Sequence, residues 1–238
     1  MHVWAELGPE GAARAAARGD VVVVVDALRA SVTITAALAA GARAVMPVQT
    51  VEEALIYRSR RPGVCLAGER NTLPVPGFDF GNSPTELLRH ADRLVDKTLV
   101  LTTSHGTRCV ESAREGACAV LAGSLPNVSA VARGAHRLAR SQGCDVTLVA
   151  AGADGGEPAE EDEYTVRVLA RALADLGLEN QVPPPSAPVE RFFHQGVHGR
   201  RLARLGYGQD VDLCASLDVF DAVGVLIGEG LVPLEGKP

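Results

Sequence analysis

Four polar stretches in this chain follow directly on apolar runs, and their residue types fit the chemistry of phosphate esters. After Val25 come Asp26, Arg29 and Ser31; after Ala67 come Gly68, Glu69, Arg70 and Asn71. After Leu101 come Thr102, Thr103, Ser104, His105, Gly106 and Thr107. After Ala150 come Gly152, Asp154, Gly155 and Gly156, then Glu160, Glu161, Asp162 and Glu163. Carboxylates with water suit a hard divalent cation such as magnesium. Arginines, hydroxyls and helix N-terminal N–H groups suit phosphate and other oxyanions. The mixture fits metal-assisted phosphoryl transfer better than cofactor redox chemistry.

Each residue also has a plainer reading. Asp26 at a strand end serves equally as the cap of the next turn, and Arg29 as a surface arginine. Acidic residues at 160–163 sit where a helix starts, and there they favour the helix dipole without any function. His105 either binds substrate or replaces a smaller polar residue, and His198, in His-Gly-Arg-Arg, reads as a surface residue. Familiar motifs are missing. The chain has no phosphate-loop pattern and no glycine fingerprint for dinucleotides. Asp26-Ala27-Leu28 lacks the second aspartate of haloacid-dehalogenase-type phosphatases, and no cysteine opens a C-x5-R loop.

These stretches need a scaffold that gathers them. Five consecutive valines at 21–25 read as a strand covered on both faces, as in a largely parallel sheet. A helix follows over 31–40, ended by Gly41, then a strand at 44–48 and a helix opened by Thr50 and Glu53. Further strands are predicted at 64–67, 98–102, 119–122 and 145–150. Helices are predicted from Ser83 and Pro84, then at 107–115, 127–141 and 161–176. Such alternation predicts a layered α/β/α fold with a largely parallel or mixed sheet. It forms one domain over residues 1–238, or two tightly packed lobes. If the strands are parallel, ligand-binding loops share the rim at their carboxyl ends. Beyond the proline-rich connector at 182–188 the pattern weakens. A basic stretch at 198–204, a short element at 210–215 and an apolar run at 222–227 have no assigned place.

Composition narrows the partners. A net charge of -6 argues against nucleic-acid binding, which needs a basic surface, but leaves a small anionic ligand open. No basic-then-apolar leader opens the chain, and no apolar run reaches the roughly 18–20 residues that span a bilayer. Five cysteines without a C-x-x-C pair read mostly as buried small side chains, not as a disulfide framework. The expectation is a cytoplasmic protein with no nucleic-acid or membrane partner, for which a homo-oligomer is plausible.

Longer runs resemble one known family. Val24-Val25-Asp26-Ala27-Leu28-Arg29-Ala30-Ser31, Gly68-Glu69-Arg70-Asn71 and Gly77-Phe78-Asp79-Phe80-Gly81-Asn82-Ser83-Pro84 are similar to signature blocks of the 2-phosphosulfolactate phosphatase family. So are Thr102-Thr103-Ser104-His105-Gly106-Thr107-Arg108, Ala151-Gly152 with Glu161-Asp162, His198-Gly199-Arg200, and Asp210-Val211-Asp212-Leu213-Cys214-Ala215 with Asp218 and Asp221. They occur in family order from about residue 20 to 228. The resemblance implies an α/β, magnesium-dependent hydrolase that converts 2-phospho-3-sulfolactate to 3-sulfolactate on a route to coenzyme M. Two departures bear on substrate choice. His105 stands where the family usually has an amide, and Glu160 precedes Glu161-Asp162 where an apolar residue is common. A related phosphorylated hydroxy acid therefore stays open as the substrate.

The implied roles follow. Asp26, Glu161 and Asp162 bind Mg2+ or activate water, with Glu69 a weaker fourth. Arg29, Ser31, Glu69, Arg70, Asn82, Ser104, His105, Gly106 and Thr107 contact the substrate. Water attack and a covalent aspartyl-phosphate on Asp26 both remain open. So do a non-catalytic anion sensor and, more remotely, a nucleotide-dependent enzyme on a similar sheet.

Overall fold

In the computed structural model, residues 1–153 and 156–235 are described; Asp154 and Gly155, part of the predicted acidic loop, lie outside them. The chain forms β1 (His2–Leu7), α1 (Gly8–Ala17), β2 (Val21–Val25), α2 (Ala30–Ala39), β3 (Ala44–Val48), α3 (Val51–Arg60), β4 (Cys65–Arg70), β5 (Leu73–Pro74) and α4 (Pro84–Arg89). It continues with β6 (Thr98–Thr102), α5 (Gly106–Ala113), β7 (Ala119–Ala122), α6 (Val128–Gln142), β8 (Val146–Ala150), α7 (Glu160–Asp175) and β9 (Glu179–Asn180). Three helices, α8 (Val189–Phe193), α9 (Val197–Arg204) and α10 (Gly208–Ala215), precede the hairpin β10 (Gly224–Ile227) and β11 (Gly230–Pro233). Among the described residues no helix is long and apolar enough to cross a membrane.

The predicted α/β alternation is present, and local chemistry explains its boundaries. Thr50 Oγ1 accepts the Glu53 N–H at 3.1 Å, while Glu53 reaches back to the Gln49 N–H, opening α3. Ser83 Oγ accepts the Glu86 N–H at 3.2 Å ahead of Pro84, opening α4. Gly143, with φ 70°, ends α6 in the left-handed conformation that glycine adopts without strain. All five valines of β2 are fully buried, as expected of a strand covered on both faces. Of the cysteines, only Cys109 and Cys214 are buried; Cys118 is exposed.

Strand direction departs from the simple expectation. The order is β5-β4-β6-β3-β11-β10-β7-β2-β8-β1-β9. β2, β7, β8, β1 and β9 form one parallel block, and β3, β6 and β4 another. The hairpin joins them through three antiparallel pairings, β7–β10, β10–β11 and β11–β3, so the two blocks run in opposite senses. On a flat sheet, loops from the two blocks would lie at opposite edges. Five strand spacings separate β6 from β2, about 24 Å if flat. Yet the Gly106 N–H, just after β6, donates to Asp26, just after β2, at 2.9 Å. The sheet must therefore curl, and the buried helix α2 explains what it curls around. Residues 30–38 of α2 are all buried, and the helix touches β3, β7, β10, β11, α4 and α5.

Close approach of β4 to β6 depends on Gly68. A Cβ there would lie 2.4 Å from the Thr102 carbonyl oxygen and 2.9 Å from Thr102 Cγ2. Gly68→Ala should cost about 1–3 kcal/mol by overpacking. Thermal unfolding checks this, and an unchanged midpoint would show that the strands part freely.

Candidate active site

Asp26, at the carboxyl end of β2, is held by two helix starts. Its Oδ1 accepts the N–H of Ala30, the first residue of α2, at 3.1 Å, and its Oδ2 accepts that of Gly106, the first of α5. Asp162, in the first turn of α7, is held the same way. Oδ1 accepts the Ala27 N–H at 2.7 Å and Oδ2 the Gly152 N–H at 3.0 Å. Each of the four oxygens thus takes one main-chain N–H, which orients both carboxylates and leaves acceptor capacity on each. Because Ala27 adjoins Asp26, the same contacts hold the two side chains near one another.

Their electrostatics are strained. Burial raises the Asp26 carboxyl above the ordinary aspartate range; the N–H donors and His105 oppose this, and Glu69 adds to it. Burial also pushes Asp162 well above its ordinary value, reinforced by the charges of Asp26 and Glu161. Glu161 is buried, and its Oε1 meets His198 Nδ1 at 2.6 Å, which raises the imidazole against the opposing effect of burial. Glu69 braces the far wall. Its Oε1 accepts both the N–H and the hydroxyl of Ser104, at 2.9 and 2.8 Å, and its Oε2 accepts the Thr72 N–H at 2.7 Å.

These groups line one cleft of about 110 Å³ together with Arg29, Asn82, His105 and Arg201. Arg29 is buried, paired to Asp210 at 2.6 Å and stacked 4.4 Å from the Tyr207 ring centre. Asn82 is 5% exposed, and its Oδ1 has no hydrogen-bond partner among the described residues.

Of the predicted site residues, Asp26, Arg29, Glu69, Asn82, Ser104, His105, Glu161 and Asp162 converge on this cleft. Ser31, Arg70, Gly106 and Thr107 sit behind it. The Ser31 hydroxyl donates to the Val24 carbonyl and accepts the Asp26 N–H. Arg70 donates to Thr102 Oγ1 and to the carbonyls of Glu69 and Gln49. The Gly106 N–H, expected to face an oxyanion, is taken by Asp26, and a Cβ at Gly106 would lie 2.8 Å from Asp26 Oδ2. The buried Thr107 hydroxyl donates to the Thr103 carbonyl.

Sequence reading missed the contribution of the C-terminal helices. His198, Arg201 and Leu202 of α9 line the cleft, and Arg201 donates to the Asn71 carbonyl at 3.0 Å. Their i, i+3, i+4 spacing puts them on one helix face, a signal present in the sequence. Phe193, Leu202, Val211 and Cys214 pack against Ala27, Val32 and Leu125, seating α8–α10 beside the site. Gly199 allows that packing, since a Cβ there would meet the Phe193 carbonyl at 1.5 Å.

Among the described residues, no three His, Cys, Asp or Glu side chains form a ready metal cage. The arrangement is an open, carboxylate-rich cleft on an α/β fold, with arginines and hydroxyl-bearing loops at its walls. In such a class of site the arginines and hydroxyls can meet oxyanion oxygens and the carboxylates can meet a cation.

Comparison with known proteins agrees with this class. The family model for 2-phosphosulpholactate phosphatase matches residues 8–229. A protein named "Probable 2-phosphosulfolactate phosphatase" from Carboxydothermus hydrogenoformans is 36% identical over 214 residues, covering 87% of this chain and 86% of that protein. Proteins of the same name from Deinococcus radiodurans and Thermus thermophilus are 36% and 35% identical. Each covers 90% of this chain, with 90% and 92% of the relative matched. The chain belongs to the 2-phosphosulpholactate phosphatase family.

Proposed function

We propose that this chain is a Mg2+-dependent phosphatase that hydrolyses 2-phospho-3-sulfolactate, or a closely related phosphorylated hydroxy acid, to the free hydroxy acid and phosphate. Family membership supports the reaction class. The observation that carries the cation requirement is the charge of the cleft. Among the described residues, Asp26, Glu69, Glu161 and Asp162 face only Arg29 and Arg201 as permanent cations, and Arg29 is already paired to Asp210. A multiply charged phosphate ester joins these carboxylates in a low-dielectric cleft only with a counter-ion or with protons on the raised Asp26 and Asp162, and where both are ionised the counter-ion is required.

The residues fit magnesium, although they do not cage it. Magnesium retains waters and commonly binds through one or two carboxylates plus substrate phosphate. Asp26 and Asp162, with Glu161 next in reach, are the residues that would hold it. When bound, the ion would neutralise phosphate charge and polarise the ester. The protein's own groups do the rest. Arg29 and Arg201 hold anionic oxygens of the ester, the Ser104–His105 loop meets another side of it, and Leu202 limits water. In hydrolysis the ester P–O bond breaks, a P–O bond to water's oxygen forms, and a proton passes to the leaving oxygen. A carboxylate of the Asp26–Asp162 pair receives the proton that water gives up, and this is the proton that is returned to the leaving oxygen.

Phosphate release should be measured across phosphorylated hydroxy acids and sulfonates, with Mg2+ and with chelator. Turnover of the sulfonate ester that chelator abolishes is expected; turnover indifferent to Mg2+ would overturn the cation requirement. Binding without any turnover would favour an anion sensor.

The same charge crowding predicts a pH-dependent stability. Asp26 and Asp162 have folded values raised above the unfolded value near about 4. Their contribution to stability is fully present below that unfolded value and is lost as pH rises through the raised folded values. A cation that binds the ionised pair should restore it. The rise in thermal midpoint on adding Mg2+ should therefore grow from pH 5 to pH 8; a flat or falling response would count against this site.

A further inference from the structure

The cleft contains a buried acceptor that none of the described residues satisfies. Asn82 Oδ1 has no hydrogen-bond partner, the residue is 5% exposed, and its side chain lines the same cleft as Asp26 and Asp162. Its backbone is pinned on both sides. The Gly81 N–H donates to Glu86 Oε2 at 3.0 Å, and Ser83 caps α4 and donates to Asp210 at 2.8 Å. These contacts fix where the Asn82 backbone sits at the cleft wall. Buried polar atoms left unpaired are uncommon and call for a missing partner.

The missing partner must be a hydrogen-bond donor or a cation. On the proposed reading the substrate carries phosphate, sulfonate and carboxylate groups, all acceptors, so the ester itself cannot satisfy a carbonyl oxygen. The main-chain N–H groups of Ala30, Gly106, Ala27 and Gly152 serve the two aspartates and those of Ser104 and Thr72 serve Glu69, and no described donor, Arg29 and Arg201 included, reaches Asn82 Oδ1. A hard cation or a water in its shell remains, and an amide oxygen is a suitable ligand for either. We infer that Asn82 is an oxygen donor of the magnesium site, its Oδ1 meeting the ion or one of its waters. It supplies the neutral ligand that two aspartates alone do not. This rests on the Mg2+ reading above and adds a residue whose expected role was to grip substrate oxygens. The reversed amide would instead offer its NH2 to an oxyanion, and the test separates the two.

Mn2+ serves as the probe, titrated by electron paramagnetic resonance against the full chain with and without 3-sulfolactate, for wild type, Asn82→Ala and Asn82→Asp. Asn82→Ala should weaken Mn2+ about 10- to 100-fold. Its metal-free thermal midpoint should match or exceed wild type, because a methyl group replaces an unsatisfied acceptor. Asn82→Asp keeps an oxygen and adds charge, so it should bind Mn2+ at least as tightly as wild type. Wild-type Mn2+ affinity in Asn82→Ala overturns the inference while leaving the Mg2+ reading intact. Unchanged Mn2+ affinity combined with weakened 3-sulfolactate binding in Asn82→Ala assigns the amide to the anion instead. If wild type takes up no Mn2+ in either condition, both the Mg2+ reading and this inference fall.

Discussion

Asp26→Asn and Asp162→Asn should each lower turnover by about 100- to 10,000-fold, the range expected when a positioned proton acceptor is removed. Each change keeps the side-chain shape but removes a negative charge from a cleft whose chemistry depends on it. Each also turns an NH2 toward a main-chain donor, since both oxygens of each aspartate accept an N–H. Some loss of stability is therefore expected alongside the lost activity, and thermal midpoints must be measured beside the rates. Mn2+ affinity should fall in both variants. On the proposed mechanism the pair acts as a unit, so the double variant should be hardly slower than either single one. Near-normal turnover and metal affinity in both single variants would defeat the assignment. Acid quench of wild type during turnover distinguishes the two chemical routes. Radiolabelled phosphate retained on Asp26 would assign it as a nucleophile, and its absence at full turnover favours direct attack by water.

How legible this site was depended on the kind of signal each part leaves in a sequence. Val21 to Val25, the Thr50 and Ser83 caps and Gly143 act through local chemistry, and the corresponding elements form at those places. The strand β1 was not anticipated. HVWAEL has no clear alternation, and its pairing to β8 is made only in the tertiary structure. Strand sense was less legible still. The hairpin β10–β11 lies more than 100 residues from both β3 and β7, and its insertion between them reverses one parallel block relative to the other. Hydrophobic pattern reports burial and period, not the neighbour on either side. Site residues divide along the same line. Asp26 and Asp162 stand out because a carboxylate after an apolar strand or at a helix start is visible locally. Ser31, Gly106 and Thr107 carry the same polar signature, yet their hydrogen bonds turn inward to support Asp26 and the loop after β6. Only geometry separates a group that faces the ligand from one that holds such a group in place.

Asp210→Ala should destabilise the protein by about 3–5 kcal/mol, the cost of leaving a buried charge without its partner. Asp210 is 1% exposed and Arg29 3% exposed, so the freed guanidinium would have no ready access to water. The carboxylate also ties three elements together. Its Oδ2 accepts from Arg29 at the start of α2, while Oδ1 accepts the Ser83 hydroxyl at 2.8 Å and both the N–H and the hydroxyl of Thr85 in α4. In a chain of this length the loss corresponds to a fall in thermal midpoint of about 6–20 °C. Asp210→Asn separates charge from connectivity, since an amide oxygen can still serve Ser83 and Thr85 but no longer neutralises Arg29. A smaller loss in Asp210→Asn than in Asp210→Ala is expected. Arg29→Met in the Asp210→Asn background should recover part of it, because the unpaired charge is then gone. Urea unfolding of the three variants measures these differences. A loss below about 1 kcal/mol in Asp210→Ala, within the range of exposed ion pairs, would mean that water reaches Arg29. The α8–α10 helices would then be held beside the cleft by apolar packing around Phe193 and Leu202, without help from this pair.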